Sequence, residues 1–331
     1  MQAWCVNSLG DPVDVMRLED LAPPTPGPGP GEVAIRVEAT ALNFFDILLC
    51  QGTYQEKPPL PFTPGAEVAG TITAVGKGIT AFAAGARVLA TPPLPRGGLA
   101  QEVVAPAATV FPIPDAMPFE KAAAMHIVYQ TAYFALHRRT HVGAGQTVLV
   151  HAGAGGVGSA AIQLAVAAGA RVIATSGGPE KVEVCRRLGA ELAIDYRRED
   201  FVEAVKGATK GRGANIIFDP VGGDVFDQSR RCVAFEGKII VVGFAGGRIA
   251  EAPTNHALVK NYSVVGLHWG LYNRVMPELV VKTHEELIRL YKEGKIDPLI
   301  YRAVPFAEVP AALGLIGSRA TWGKLVTRPN A

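Results

Sequence analysis

Val148 to Gly158 reads V-L-V-H-A-G-A-G-G-V-G, and the rest of the chain is organised around it. The apolar run Val148 to Val150 predicts a buried strand, and Gly153, Gly155 and Gly158 then fit G-x-G-x-x-G ahead of a helical pattern from Val157 to Ala168. In a strand, turn and helix of this kind, Gly153 permits the tight turn and Gly155 lets a pyrophosphate approach the backbone. Gly158 lets helix and strand pack closely, and the helix N-terminus, Gly156 and Val157 included, offers unpaired N–H groups to the phosphates.

Working outward, the alternation continues. Arg171 to Thr175 is a second β-branched run, followed by a helix over Pro179 to Leu188, a strand over Leu192 to Asp195 and a helix over Glu199 to Ala208. Strands at Asn215 to Asp219 and Gly237 to Val242 follow. This rhythm predicts an α/β domain with a parallel, doubly wound sheet.

The N-terminal third reads differently. Met1 to Leu21 predicts a hairpin, and Ala22 to Gly31, rich in Pro and Gly, is a surface connection. Glu32 to Ala39 alternates as a half-buried strand does, a short helix starts near Asn43, and brief β-rich runs punctuated by Gly and Pro continue from Leu60 to Pro112. A compact, mainly antiparallel barrel is expected. Pro118 to His137 predicts a helix into the second domain, Ser263 to Leu267 a late strand and Pro277 to Glu293 another helix. The strand at Lys324 to Val326 has no place in the parallel sheet and is expected to return to the first domain. Boundaries are therefore expected at 124/125 and 267/268.

At 331 residues the chain has room for two cores, and 49% hydrophobic residues exclude disorder. The net charge is +2, with no basic stripe, so neither nucleic acid nor an acidic membrane is an expected partner. No apolar run reaches roughly 18 residues and the N-terminus has no signal pattern, which makes the cytoplasm the expected location. The four cysteines are far apart and form no C-x-x-C.

An NAD site places an Asp or Glu about 20 residues beyond the glycines, at the end of the second strand. Here that place reads A-T-S-G-G-P-E-K, with no acid where the strand ends. Ser176, Lys181 and Tyr196 instead offer donors to a 2′-phosphate, so NADP(H) is the expected cofactor; Glu180 swinging inward is the route back to NAD.

The segments A-L-N-F-F-D (41–46), Q-G-T-Y (51–54), L-P-F-T-P-G-A-E-V-A-G (60–70), V-Y-Q-T-A-Y (128–133), the glycine turn and A-T-W-G-K-L-V (320–326) together resemble the zinc-free quinone oxidoreductases, the zeta-crystallin-like branch of the medium-chain dehydrogenase/reductase superfamily. The resemblance implies a Rossmann domain with a GroES-like β-barrel catalytic domain, NADPH as cofactor, and a homodimer joined through a strand near Tyr262 to Leu267. Zinc-dependent relatives carry a Cys within the stretch matching Asn43 to Asp46 and a Gly-His-Glu where Gly65-Ala66-Glu67 stands, so no metal is expected. His137 and His141 are four apart, on one face of a helix, but flank Arg138 and Arg139 at its C-terminus, and no third ligand is visible.

Without zinc to polarise a carbonyl, the hydride acceptor must stabilise negative charge itself: a quinone, or the β-carbon of an enone or enoyl thioester. Alternatives are an enoyl-thioester reductase and a non-enzymatic NADPH-binding protein. By resemblance, Asn43 orients the nicotinamide or ribose, its other reading being an N-cap. Gln130 and Thr131 touch ribose or phosphate, Phe244, Ala245 and Gly246 form the loop cradling the nicotinamide amide through backbone groups, and Lys324, with Arg319, reaches the cofactor from the tail, the other reading of these two being a surface role. Tyr54 is the candidate proton donor, or else part of an aromatic substrate pocket with Phe45, Tyr129 and Trp269.

Overall fold

The computed structural model describes residues 1–23 and 27–331; part of the expected connection over Ala22 to Gly31 lies outside them. The chain divides into two compact units, Met1–Ile127 with Pro298–Ala331, and Val128–Asp297.

The first unit opens with the expected hairpin, β1 (Gln2–Val6) and β2 (Met16–Asp20), closed by a single helical turn α1 (Pro12–Val15). β3 (Glu32–Ala41), α2 (Phe44–Cys50), β4 (Val68–Val75), β5 (Arg87–Ala90), β6 (Glu102–Pro106) and β7 (Val110–Pro112) follow, then α3 (Phe119–Ala123). β3 is the hub, pairing antiparallel with β4 and with β6. Alternation in V-A-I-R-V sends Val33, Ile35 and Val37 inward, where they meet Val68, Ile72 and Val88 in one core.

The expected helix over Pro118 to His137 is broken. α3 packs on β3 and β4 and buries Ala122 and Ala123 completely, whereas α4 (His126–Tyr133), continued by a π-helical turn over Phe134–Arg139, runs into the second unit. The two halves serve different cores, and the chain turns between them.

The second unit holds β8 (Thr147–Val150), α5 (Gly156–Ala167), β9 (Arg171–Ser176), α6 (Pro179–Arg187), β10 (Leu192–Asp195), α7 (Phe201–Ala208), β11 (Ala214–Asp219), α8 (Gly223–Cys232), β12 (Val233–Val241), α9 (Thr254–Lys260) and β13 (Ser263–Gly266). The six strands are parallel in the order β10-β9-β8-β11-β12-β13, so the chain winds outward in both directions from β8. This is the dinucleotide-binding strand order, in which ligands sit beyond the carboxyl ends of the strands beside the reversal. Val148, Leu149 and Val150 have no solvent exposure, as a strand covered on both faces requires.

The second boundary falls at 297/298 instead of 267/268. α10 (Tyr272–Val275) and α11 (Pro277–Lys292) belong to the second unit, because Val280, Leu287 and Leu290 are buried there and the Val280 carbonyl accepts from Gln130 Nε2 at 2.9 Å. Only then does the chain return, as β14 (Ile300–Val304), α12 (Val309–Gly317) and β15 (Lys324–Thr327). β15 runs parallel to β14 and antiparallel to β3, which gives the tail strand its expected place.

Candidate active site

Each unit contributes its own cluster. In the second, β8 ends at Val150 and the glycine turn follows. The left-handed residue is Ala152, at φ 51°, and not Gly153. Gly153 is required for a different reason: a Cβ there would stand 2.9 Å from Ala174 Cβ and 3.0 Å from Cys185 Sγ and Ile162 Cδ1. At Gly158 a Cβ would meet the Ala152 carbonyl at 2.2 Å, so helix and turn touch only because no side chain intervenes. Gly155, the α5 N-cap, has only the Ala152 carbonyl nearby, at 3.3 Å, leaving its other side free for close approach by a ligand. The cradle, with the first turn of α5 behind it, fits a pyrophosphate.

His151 is buried beneath this turn. Ser229 Oγ donates to the Val225 carbonyl, and so accepts from His151 Nε2 at 2.9 Å, leaving Nδ1 to accept from Thr175 Oγ1 at 2.9 Å. Burial pushes its pKa down to about 3, and the neutral ring ties β8, β9 and α8 together.

At the end of β9, Gly178 at φ 92° turns the chain and donates its N–H to Asp195 Oδ1 at 2.9 Å. That bond, with one from the Arg197 N–H, holds the Asp195 carboxyl below the usual carboxylate range. The Asp195 carboxyl is therefore engaged by backbone. The Tyr196 hydroxyl and Arg197 Nε lie within 2.7 and 3.0 Å of where a Gly177 Cβ would stand, and Lys181 is half-buried in the first turn of α6. Ser176 is buried, with its hydroxyl beside the Cys185 thiol. Arg197 escaped the sequence reading; its signal was the pair Arg197-Arg198, one residue beyond the third strand's terminal Asp195.

Gln130 is fully buried and spans α4 to α11 instead of facing a ligand, while Thr131 is half-buried beside it. Tyr129 is 1% exposed and its hydroxyl accepts from Gln163 Nε2 at 2.9 Å, so it is an interior strut and not a pocket wall; Trp269 is also buried. Phe244 is exposed in the loop after β12, as are its neighbours Ala245 to Ile249. The Ala245 and Gly246 N–H groups are taken by the carbonyls of Pro220 and Val221, which removes these two donors from the expected cradle.

The cluster in the first unit is a buried polar network at the start of α2. Asn43 is the N-cap residue and forms a capping box with Asp46, while its Nδ2 donates to Glu67 Oε1 at 3.0 Å and to the Ala41 carbonyl at 3.3 Å. Asp46 reaches back, accepting from the N–H groups of Asn43 (2.8 Å) and Gly65 (3.1 Å). Lys324 was expected at the cofactor. It is 4% exposed, donating to Asn43 Oδ1 at 2.5 Å and Glu67 Oε1 at 3.0 Å, because β15 beside β3 carries it inward. Glu67 Oε2 accepts from the Ile127 N–H at 2.8 Å. Burial pushes the Asp46 pKa up to about 6, with the backbone bonds and Lys324 opposing and Glu67 adding to the rise. Asp46 and Glu67 escaped the sequence reading as a pair, although an acid set between Ala66 and the apolar start of β4 at Val68 is an unusual residue there.

In this network the Glu67 carboxylate accepts from the Lys324 ammonium, and among the described residues no group of three or more His, Cys, Asp and Glu is arranged to bind a metal. Beside it, Phe45 and Tyr54 pack with ring centroids 5.4 Å apart, and burial raises the Tyr54 pKa, with Glu56 and Asp46 adding to the rise.

Both units resemble known proteins. Residues 29–115 match the alcohol dehydrogenase GroES-like domain and residues 156–285 the zinc-binding dehydrogenase domain. The quinone oxidoreductase-like protein 2 homolog of Nematostella vectensis is 42% identical over 98% of this chain and 88% of its own. The synaptic vesicle membrane protein VAT-1 homolog of Rattus norvegicus is 35% identical over 93% and 79%. The crystal structure of Escherichia coli quinone oxidoreductase complexed with NADPH superposes with a TM-score of 0.91 at 29% identity, covering 99% of this chain and 100% of that one. Among the described residues no helix is long and apolar enough to cross a membrane. A dinucleotide cradle in one unit and a GroES-like unit with a polar cluster in the other place this chain in the quinone oxidoreductase-like group of the medium-chain dehydrogenase/reductase superfamily, and it belongs to that family of oxidoreductases.

Proposed function

We propose that this chain is a zinc-independent reductase that uses NADPH to reduce quinones and related α,β-unsaturated carbonyls, working as a homodimer joined through β13, one of the two edge strands of the six-stranded sheet. The observation that carries the reading is the Lys324 ammonium bound to Glu67 and Asn43 at the motif where zinc-dependent relatives gather their ligands. With a fixed organic cation there and no Lewis acid, the acceptor must delocalise its own developing charge. Quinones and enones do; simple ketones and alcohols do not.

When bound, NADPH supplies the hydride. The residues of the chain position and finish the reaction. Gly153, Gly155, Gly156, Val157 and Gly158 would hold the pyrophosphate, with no side chain in the way. Lys181, Tyr196 and Arg197 would hold the 2′-phosphate, since Asp195 is committed to Gly178 and Arg197 backbone and does not oppose an anion there. Phe45 and Tyr54 offer flat apolar surface to a planar acceptor. Hydride addition to an enone β-carbon leaves an enolate, and the Tyr54 hydroxyl, protonated at neutral pH as a phenol is, would donate the proton that completes reduction.

The test is steady-state NADPH oxidation with 1,4-benzoquinone and with 9,10-phenanthrenequinone, in the presence and absence of a chelator. Turnover insensitive to the chelator and faster with NADPH than with NADH is expected. Activity lost to the chelator and restored by zinc would overturn the reading.

A further inference from the structure

β8 has the glycine turn at one end, and the chain that enters its other end comes from the basic segment His137 to His141, which the chemistry above does not use. There the second unit carries a groove of about 570 Å³. Tyr133, Phe134 and Tyr272 give it an aromatic lining, with Phe134 and Tyr272 centroids 4.5 Å apart, while Arg138, Arg139 and Lys282 give it a cationic one.

These cations are uncompensated. Among the described residues none of the three makes an ion pair; Arg138 has only a 3.7 Å contact with the Met276 thioether and lies 6.0 Å from the Tyr272 ring centroid. Glu278 and Glu285, on the same helix as Lys282, form no ion pair with it. Glu286, whose charge acts on His137, is already held: both its oxygens accept from Arg289, at 2.6 and 2.8 Å.

The helix end adds little negative field of its own. The Ala135 and Leu136 carbonyls accept from Thr140 Oγ1 at 2.9 and 3.0 Å, and Lys238 Nζ takes the Thr140 carbonyl at 3.1 Å. The segment is π-helical, a conformation concentrated at functional sites. His137, on the groove, stacks on Tyr133 at 4.3 Å and leaves Nε2 buried with no hydrogen-bond partner among the described residues. An aromatic lining, free guanidinium and ammonium groups and a spare imidazole nitrogen suit one kind of ligand: a flat ring that carries phosphate.

We propose that this groove is a second ligand site, separate from the glycine turn, that binds a nucleoside phosphate: the base packs on the tyrosines and the phosphates meet Arg138, Arg139 and Lys282. The site stands independently of the reductase reading.

The experiment is calorimetric titration of the whole protein with ADP, without NADPH and in its saturating presence. One ADP site that survives NADPH is expected, weakened at least about tenfold by Arg138→Ala and by Lys282→Ala, since a hydrogen bond to a charged group contributes about that much. NADPH affinity should be the same in both variants and the parent. Pyrophosphate, with the charge but no ring, is expected to bind about tenfold more weakly than ADP. Loss of all ADP binding under saturating NADPH, or ADP affinity unchanged in both variants, overturns the proposal. Pyrophosphate binding as tight as that of ADP overturns the aromatic half of it.

Discussion

Lys324 and Glu67, separated by 257 positions in the chain, meet at 3.0 Å in the interior of the first unit, with side-chain exposures of 5% and 1%. A pair this deep has no water to fall back on. Removing the cation alone by Lys324→Met strands a buried carboxylate and is expected to cost about 3–5 kcal/mol of unfolding free energy. Lys324→Met combined with Glu67→Gln should recover much of that loss. Denaturant titration of the two single variants and the double variant measures the coupling; additive losses would contradict it.

Asp46 makes stability depend on pH with an unusual sign. Its pKa in the folded chain, about 6, lies above its ordinary value, so the protonated form is the one the fold favours. Its contribution is greatest below about pH 4 and is lost as pH rises through about 6, amounting to roughly 2–3 kcal/mol at 1.36 kcal/mol per pH unit. Other carboxylates titrate nearby, so the quantity to follow is the difference between parent and Asp46→Asn in unfolding free energy at pH 4, 5, 6 and 7.5. A difference that stays flat over this range would contradict the shift.

The turn at Gly177 and Gly178 should choose between the two nicotinamide coenzymes. Tyr196→Phe and Arg197→Ala are each expected to raise KM for NADPH about tenfold while leaving that for NADH unchanged, because each removes a hydrogen bond to a charged phosphate. Equal effects on both coenzymes would place these side chains away from the 2′-phosphate.

Tyr54→Phe keeps the ring that packs on Phe45 and removes only the hydroxyl. Enone reduction is expected to fall roughly a hundredfold, the scale of a positioned general acid, while quinone reduction, which can take its proton from water, changes little. Parallel and small losses with both acceptors would leave Tyr54 as a wall.

Periodicity and glycine spacing made the second unit readable. Val148 to Val150 had to be covered on both faces, and the strand and helix rhythm through Asp219 carried the parallel sheet with it. What escaped depended on contacts that no local pattern encodes. Lys324 looked like a tail residue because nothing near it in the chain says that β15 will lie beside β3. Tyr129 and Gln130 sat in a motif associated with ligands, but a helical stretch with apolar residues around most of its circumference does not say which side faces inward. Ser176 ended a strand, and strand parity decided that its hydroxyl went under α6. The boundary at 297/298 was hidden because α11 is amphipathic and suits either core equally well.

The chain leaves the first unit at Ile127 and rejoins it at Pro298, with β15 the last strand to be laid beside β3. On a ribosome the amino-terminal residues emerge first, yet their sheet must wait for the whole intervening domain, on the order of ten seconds or more of synthesis. The later-emerging parallel sheet, contiguous in the chain, can complete itself while the earlier one still lacks its final strand. Until Lys324 arrives, the Glu67 carboxylate has no cation to bury against.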